Sequence, residues 1–165
     1  MRLKKPLLLI AIFILAAAAS SIAGAFVFEA LGYSPCELCL TERIPYYLAI
    51  PLAGVAALFA ARGHKKLLGA AFAGLALTFA ASALLGAYHA GIEWGFWPGP
   101  QECSGVLERA ASVDDFLKQL ESVKAVRCDA PALRILGLSL AGWNAVISAG
   151  LAALGEVGFQ MQGRD

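Results

Sequence analysis

The residues with which this chain could do covalent chemistry are its four cysteines. Cys36 and Cys39 stand in "SPCELCLTER" (residues 34–43), and Cys103 and Cys128 lie far downstream. Two thiols separated by two residues can cycle between dithiol and disulfide, with a thiolate as the attacking species. Ser34 reads as a helix N-cap, Pro35 as the first helical residue and Glu37 as the third, a capping box with proline where its missing N–H does no harm. That reading sets Cys36 in the first helical turn, where free backbone N–H groups and the positive end of the dipole favour a thiolate. Arg43 follows Cys39 by four residues, on the same helical face, so its guanidinium is expected to reach the second sulfur or an anion formed beside it. The plainer use of such an arginine is to extend to lipid phosphate, alone or paired with Glu42; the spacing from Cys39 favours the reactive use.

Other uses of the cysteines are weaker. Half a zinc site would want a second close pair, but Cys103 and Cys128 are widely separated and His64 belongs to a basic turn on the other side of the membrane, so no metal is expected. A stabilising disulfide is the stronger alternative, since loops outside the cytoplasm often carry one. Four cysteines allow three pairings, and the spacing leaves the choice open. His89 ends an apolar run near the depth expected for Cys39 and Arg43. A lone histidine there is more often satisfied by water or backbone, and with only Glu93 four residues on it lacks the ligands a metal needs.

The elements that must position these residues are membrane helices. Of 165 residues, 59% are hydrophobic and 15% charged, and the mean hydropathy is +0.70. A net charge of +1, with no basic stripe interleaved with aromatics, argues against a nucleic-acid partner. The apolar residues gather into four blocks, 7–28, 44–61, 67–88 and 135–154, each near the roughly 20 residues that a helix needs to span a bilayer. The second contains Pro45 and Pro51, which could kink or break it. Gly69, Gly74 and Gly86 suit close helix packing where lipid offers no hydrophobic drive for association. The expected fold is an all-α integral membrane four-helix bundle, one membrane domain over residues 1–165.

Arg2, Lys4 and Lys5 before the first block, and Arg62, Lys65 and Lys66 between the second and third, set those flanks and both termini in the cytoplasm. The connections 29–43 and 89–134 then lie outside, and all four cysteines fall within them, where disulfides persist. A cleaved signal peptide would also explain a basic start followed by "AGA" at 23–25. The apolar run continues through Phe28, however, which favours a spanning helix. In the long outer loop, Ser112 and Asp115 suggest a helix start. Val113, Phe116, Leu117, Leu120 and Val123 then recur at helical spacing, predicting a short amphipathic helix against lipid head groups or the bundle. "GIEWGFWPGPQEC" reads as an aromatic interfacial segment leading into a flexible stretch that exposes Cys103 to a soluble partner.

With "CELCLTER" after the first block, a basic turn, "YHAGIEWGFWPGPQEC" after the third and a distant cysteine before the fourth, nearly the whole chain resembles the disulfide bond formation protein B (DsbB) family. The resemblance implies a bacterial inner-membrane oxidase that reoxidises a DsbA-like periplasmic thiol oxidoreductase and passes the electrons to a membrane quinone, ubiquinone or menaquinone. It implies that Cys36 and Cys39 are the quinone-coupled pair and that Cys103 and Cys128 meet the soluble partner. Arg43, with Glu42 beside it, resembles the quinone-contacting arginine, and His89 falls where the family has a quinone-proximal histidine. The vitamin K epoxide reductases resemble the chain in chemistry but carry their distant cysteine pair before the CxxC, the opposite order. A non-enzymatic membrane protein with structural disulfides is the alternative of a different class.

Overall fold

A computed structural model describes residues 4–99, 112–113 and 127–163. Its elements are α1 (Lys4–Ala30), a short α2 (Glu37–Thr41), α3 (Ile44–Arg62), α4 (Lys65–Glu93), a two-stranded hairpin of β1 (Arg134–Ile135) and β2 (Leu138–Ser139), and α5 (Leu140–Gly163). Among the described residues, four spans, with α2 and α3 counted together, are long and apolar enough to cross a membrane. The 27 residues of α1 reach about 40 Å at ~1.5 Å per residue, more than a hydrocarbon core of about 30 Å.

The four long helices close into a ring: α1 packs on α3, α3 on α4, α4 on α5, and α5 back on α1. Small residues make that closure possible. On α1, Leu7, Ala11, Ile14 and Ala18 are buried at alternating steps of four and three, and on α3 Ala49, Ala53, Ala56 and Ala60 repeat the same steps. The α4–α5 contact is closer still, because a Cβ added at Gly86 would stand 2.8 Å from the backbone nitrogen of Ala145. Phe72, Leu75 and Phe79 of α4 fill the centre, whereas Leu77 and Leu84 of the same helix point outward, as lipid-facing residues must. Lys4 adjoins Gly63 and Gln162 adjoins Gly69, so the start of α1, the α3–α4 turn and the end of α5 share one end of the bundle.

The helix boundaries differ from the sequence expectation: α1 and α4 extend past their apolar blocks at both ends, and the second and fourth blocks differ more. The second apolar block is preceded by a separate α2, and the chain breaks at Glu42–Arg43, because Pro45 near the start of α3 has no N–H to return to the preceding turn. Pro51 lies inside α3, which continues past it. The fourth helix begins at Leu140 rather than 135 and runs to Gly163 rather than 154. Before it, Arg134 pairs with Ser139 and Ile135 with Leu138 across a turn in which Leu136 (φ 53°) and Gly137 (φ 85°) both have positive φ, as a type I′ hairpin demands. Ile135, Leu136 and Leu138 are as apolar as helix residues, so hydropathy alone joined them to the helix. At the far end, a bond from Gln160 to Glu156, one turn apart, accompanies the helix beyond its apolar run. The amphipathic helix expected from Ser112 through Val123 falls outside the described residues, except for Ser112 and Val113.

Candidate functional site around Cys36 and Cys39

The capping expectation is corrected at the thiols. Cys36, not Ser34, is the N-cap of α2: its backbone is extended (φ −81°, ψ 170°), and its own Sγ accepts the N–H of Cys39 at 3.2 Å. A sulfur takes the role usually given to a hydroxyl or carboxylate, and this folds the two side chains together with Sγ atoms 2.9 Å apart. Cys36 therefore precedes the helix instead of sitting in its first turn. Its thiol is pushed up to about 12, first by the hydrogen bond it donates to Cys39 and then by burial, with His89 pulling the other way. The expected Cys36 thiolate is replaced by a retained thiol.

Behind Cys36 stands a histidine that sequence spacing could not bring there. His89 Nε2 lies 3.6 Å from Cys36 Sγ, and its Nδ1 lies 2.7 Å from Glu42 Oε1. The carboxylate that meets His89 is thus Glu42, across the bundle, and not Glu93 one turn along its own helix. A carboxylate can only accept, so Nδ1 carries the proton, and Nε2 faces the thiol as acceptor or, once protonated, as donor. Glu42 Oε2 accepts from Asn144 Nδ2 at 2.9 Å, and Tyr46 donates to Asn144 Oδ1 at 2.7 Å. From Tyr46 the hydrogen bonds continue to Ser148 and Ser82, each at 2.9 Å. This polar chain ties α3, α4 and α5 together inside an apolar bundle, where unsatisfied groups would be costly.

Arg43 falls in the α2–α3 break and turns to α1. Its Nη2 pairs with Glu29 Oε1 at 2.7 Å, and its guanidinium carbon lies 5.5 Å from the Phe26 ring centroid. Among the described residues its ion-pair partner is Glu29, not Glu42. Glu29, Tyr46 and Asn144 were absent from the sequence-level candidates. The available signal was their polarity at the rim of, or within, apolar blocks, where a polar group needs a partner.

Cys39, Glu42 and Arg43 line one cavity of about 400 Å³, with Phe28 of α1, Tyr46 of α3 and Trp143 of α5 among its mainly apolar walls. Cys36 and His89 do not line it. The two sulfurs are therefore unequal, one presented to a membrane-level cavity and the other to an imidazole–carboxylate pair. Cys128 is buried and within electrostatic reach of Cys39, so three of the four cysteines come together; Cys103 lies outside the described residues. Upstream, Trp97 stacks on Tyr88 and donates its indole N–H to the Tyr88 carbonyl at 3.0 Å, so the aromatic segment folds back on α4.

The family described as "Disulfide bond formation protein DsbB" matches residues 6–157. A relative from Rickettsia prowazekii (strain Madrid E), "Uncharacterized protein RP370", is 28% identical over 144 residues, which cover 86% of this chain and 78% of the relative. No solved structure matches significantly. The chain belongs to the DsbB family of disulfide-forming membrane oxidoreductases.

Proposed function

We propose that this member of the DsbB family oxidises a DsbA-like periplasmic dithiol protein and passes the electrons to a membrane quinone. The observation that carries the reading is the position of Cys39, which lines a mainly apolar cavity together with Arg43, between helices long and apolar enough to cross a membrane. The residues present suit a quinone. Aromatic and aliphatic walls accept a ring and its isoprenoid tail, and Arg43 and the second amide hydrogen of Asn144 offer donors to ring oxygens. When bound, a quinone supplies a lipid-soluble acceptor of two electrons and two protons.

The work of the chain divides among its residues. In this reading the partner's thiolate attacks Cys103 of a Cys103–Cys128 disulfide, and the freed Cys128 attacks Cys36, so that Cys39 leaves as a thiolate into the cavity. Arg43, steadied by Glu29, favours negative charge developing there. The partner's second thiol then displaces Cys103, and Cys103 reattacks Cys128, so the partner leaves as a disulfide, the Cys103–Cys128 bond is restored and Cys36 is freed as a thiol. For the pair to close again, Cys36 must give up its proton, and His89 is placed to take it with Glu42 holding the resulting imidazolium. One S–S bond then replaces two S–H bonds, and two electrons and two protons leave the pair. The basic flanks lie at one end of the bundle and the thiols near the opposite helix ends, which supports cytoplasmic termini and periplasmic cysteines in a bacterial inner membrane.

The direct test is anaerobic mixing of purified protein, quinone and a reduced DsbA-like candidate, followed by quinone absorbance. Cys39→Ser is expected to abolish quinone reduction, and undiminished turnover would end the scheme. Arg43→Leu is expected to lower turnover with quinone at least tenfold while partner binding, measured separately, stays nearly unchanged. Equal loss of both would assign Arg43 to folding.

A further inference from the structure

We propose that the reduced site binds a thiophilic divalent cation, Zn²⁺ or Cd²⁺, through Cys36 Sγ, Cys39 Sγ and His89 Nε2, and that the ion locks the pair as dithiolate. Sequence spacing argued against metal because the close cysteine pair lacked further ligands. The fold supplies one from 50 residues away, and the three ligand atoms lie within 4.8 Å of one another. Zinc holds thiolate sulfur at about 2.3 Å and imidazole nitrogen at about 2.0–2.1 Å, so ligand atoms sharing one ion stand roughly 3.3–3.8 Å apart. The 3.6 Å from Cys36 Sγ to His89 Nε2 already meets that spacing. The sulfurs, at 2.9 Å, need only separate by rotation of the Cys39 side chain.

The surroundings of the imidazole are those of a metal ligand. Nδ1 is held by Glu42 Oε1 and Glu42 Oε2 by Asn144, so the ring is oriented and its Nε2 lone pair faces the sulfurs. A carboxylate on the far nitrogen is the usual support of a metal-bound histidine and raises its basicity. Two thiolates and a neutral imidazole around a dication carry no net charge, which suits a place where Cys36 and His89 are 5% and 2% exposed. Cys39 lines the cavity, through which the ion and a water as fourth ligand can arrive.

Binding is gated by redox state. In the dithiol form the ion displaces two thiol protons and no electrons move. In the disulfide form both sulfurs are bonded to each other and lack the thiolate charge that holds the ion. The cation therefore traps the reduced chain and opposes closure of the Cys36–Cys39 disulfide.

The test uses the full chain in detergent with Cys103→Ser and Cys128→Ser, reduced and freed of reductant, titrated with Cd²⁺ while thiolate-to-cadmium ultraviolet absorbance and proton release are followed; Zn²⁺ is then added as competitor. Expected are one ion per reduced chain, two protons released, displacement by Zn²⁺ and no absorbance change in the disulfide form. His89→Ala should raise the dissociation constant at least tenfold, and Glu42→Gln roughly ten- to a hundredfold. Equal binding by the disulfide form, or undiminished affinity in His89→Ala, would overturn the site. Should His89→Ala lose helix content, the deciding measurement is the melting temperature of the parent chain: Cd²⁺ should raise it for the reduced form alone, and no rise would also overturn the proposal. No quinone or partner enters the assay, so its outcome is separate from that of the oxidase reading.

Discussion

Cys36 and Cys39 differ in what they face, and that difference sets how each sulfur behaves. Cys39 looks into the cavity, whereas Cys36 is buried, donates to Cys39 and has His89 behind it. The Cys36 thiol, pushed up to about 12, stays protonated at neutral pH, where an ordinary thiol of pKa about 8.5 is already a few per cent thiolate. In the reduced protein, with chelator present, Cys36 is expected to be alkylated at pH 7 at least a hundredfold more slowly than an ordinary exposed thiol. The rate should climb as pH rises toward 12, and unfolding should abolish the difference. Peptide mass spectrometry after timed quenching reads this directly, and a normal rate at Cys36 would remove the asymmetry. The closeness of the two thiols in "CELCLTER" was legible in the sequence, because local spacing decides it. The partners were not: Glu42 bonds to a histidine 47 residues away and to an asparagine 102 residues away, and no helical periodicity reports such distances.

Among the elements, the break at Glu42–Arg43 matters most. A continuous helix through Cys39 and Arg43 would stack the two on one face, as their spacing suggests. The interruption instead sends Arg43 to Glu29 of α1 and Glu42 to His89 of α4. Pro45 announces a break, but the directions of the side chains around it depend on which helices stand nearby. The α4–α5 seam is the second feature, since it brings His89 and Asn144 to the same carboxylate. Gly86→Leu puts side-chain atoms into the α5 backbone near Ala145 and is expected to destabilise the detergent-solubilised protein by about 1–3 kcal/mol. Gly150→Ala meets nothing within 4 Å and is expected to be neutral or up to about 1 kcal/mol stabilising. Thermal unfolding followed by circular dichroism compares the two, and equal midpoints would deny the close seam.

The molecule as a whole is a ring of four helices with basic residues at one end and thiols near the other. Under the proposed function, this division would let a water-borne dithiol and a lipid-soluble acceptor approach the Cys36–Cys39 pair from different phases. In a cysteine-free background, a cysteine introduced at Leu31 or Leu136, both well exposed, is expected to react with a membrane-impermeant maleimide on spheroplasts. One introduced at Lys66 should react only after lysis. The reverse pattern would invert the topology and with it the proposed partner.

Composition and block length were enough to place this chain in a membrane as four helices, because the cost of burying unpaired backbone in lipid leaves few other folds. The cysteine motif pointed to the segment at which the structure brings Cys36, Cys39 and His89 together. Neither could find the β1–β2 hairpin, whose residues are as apolar as a helix and differ from one in backbone dihedrals. Nor could they assemble Cys36, His89, Glu42 and Asn144. A hydrogen bond depends on position in space, and residues from three helices share a position only after small side chains such as Gly86 have let those helices close.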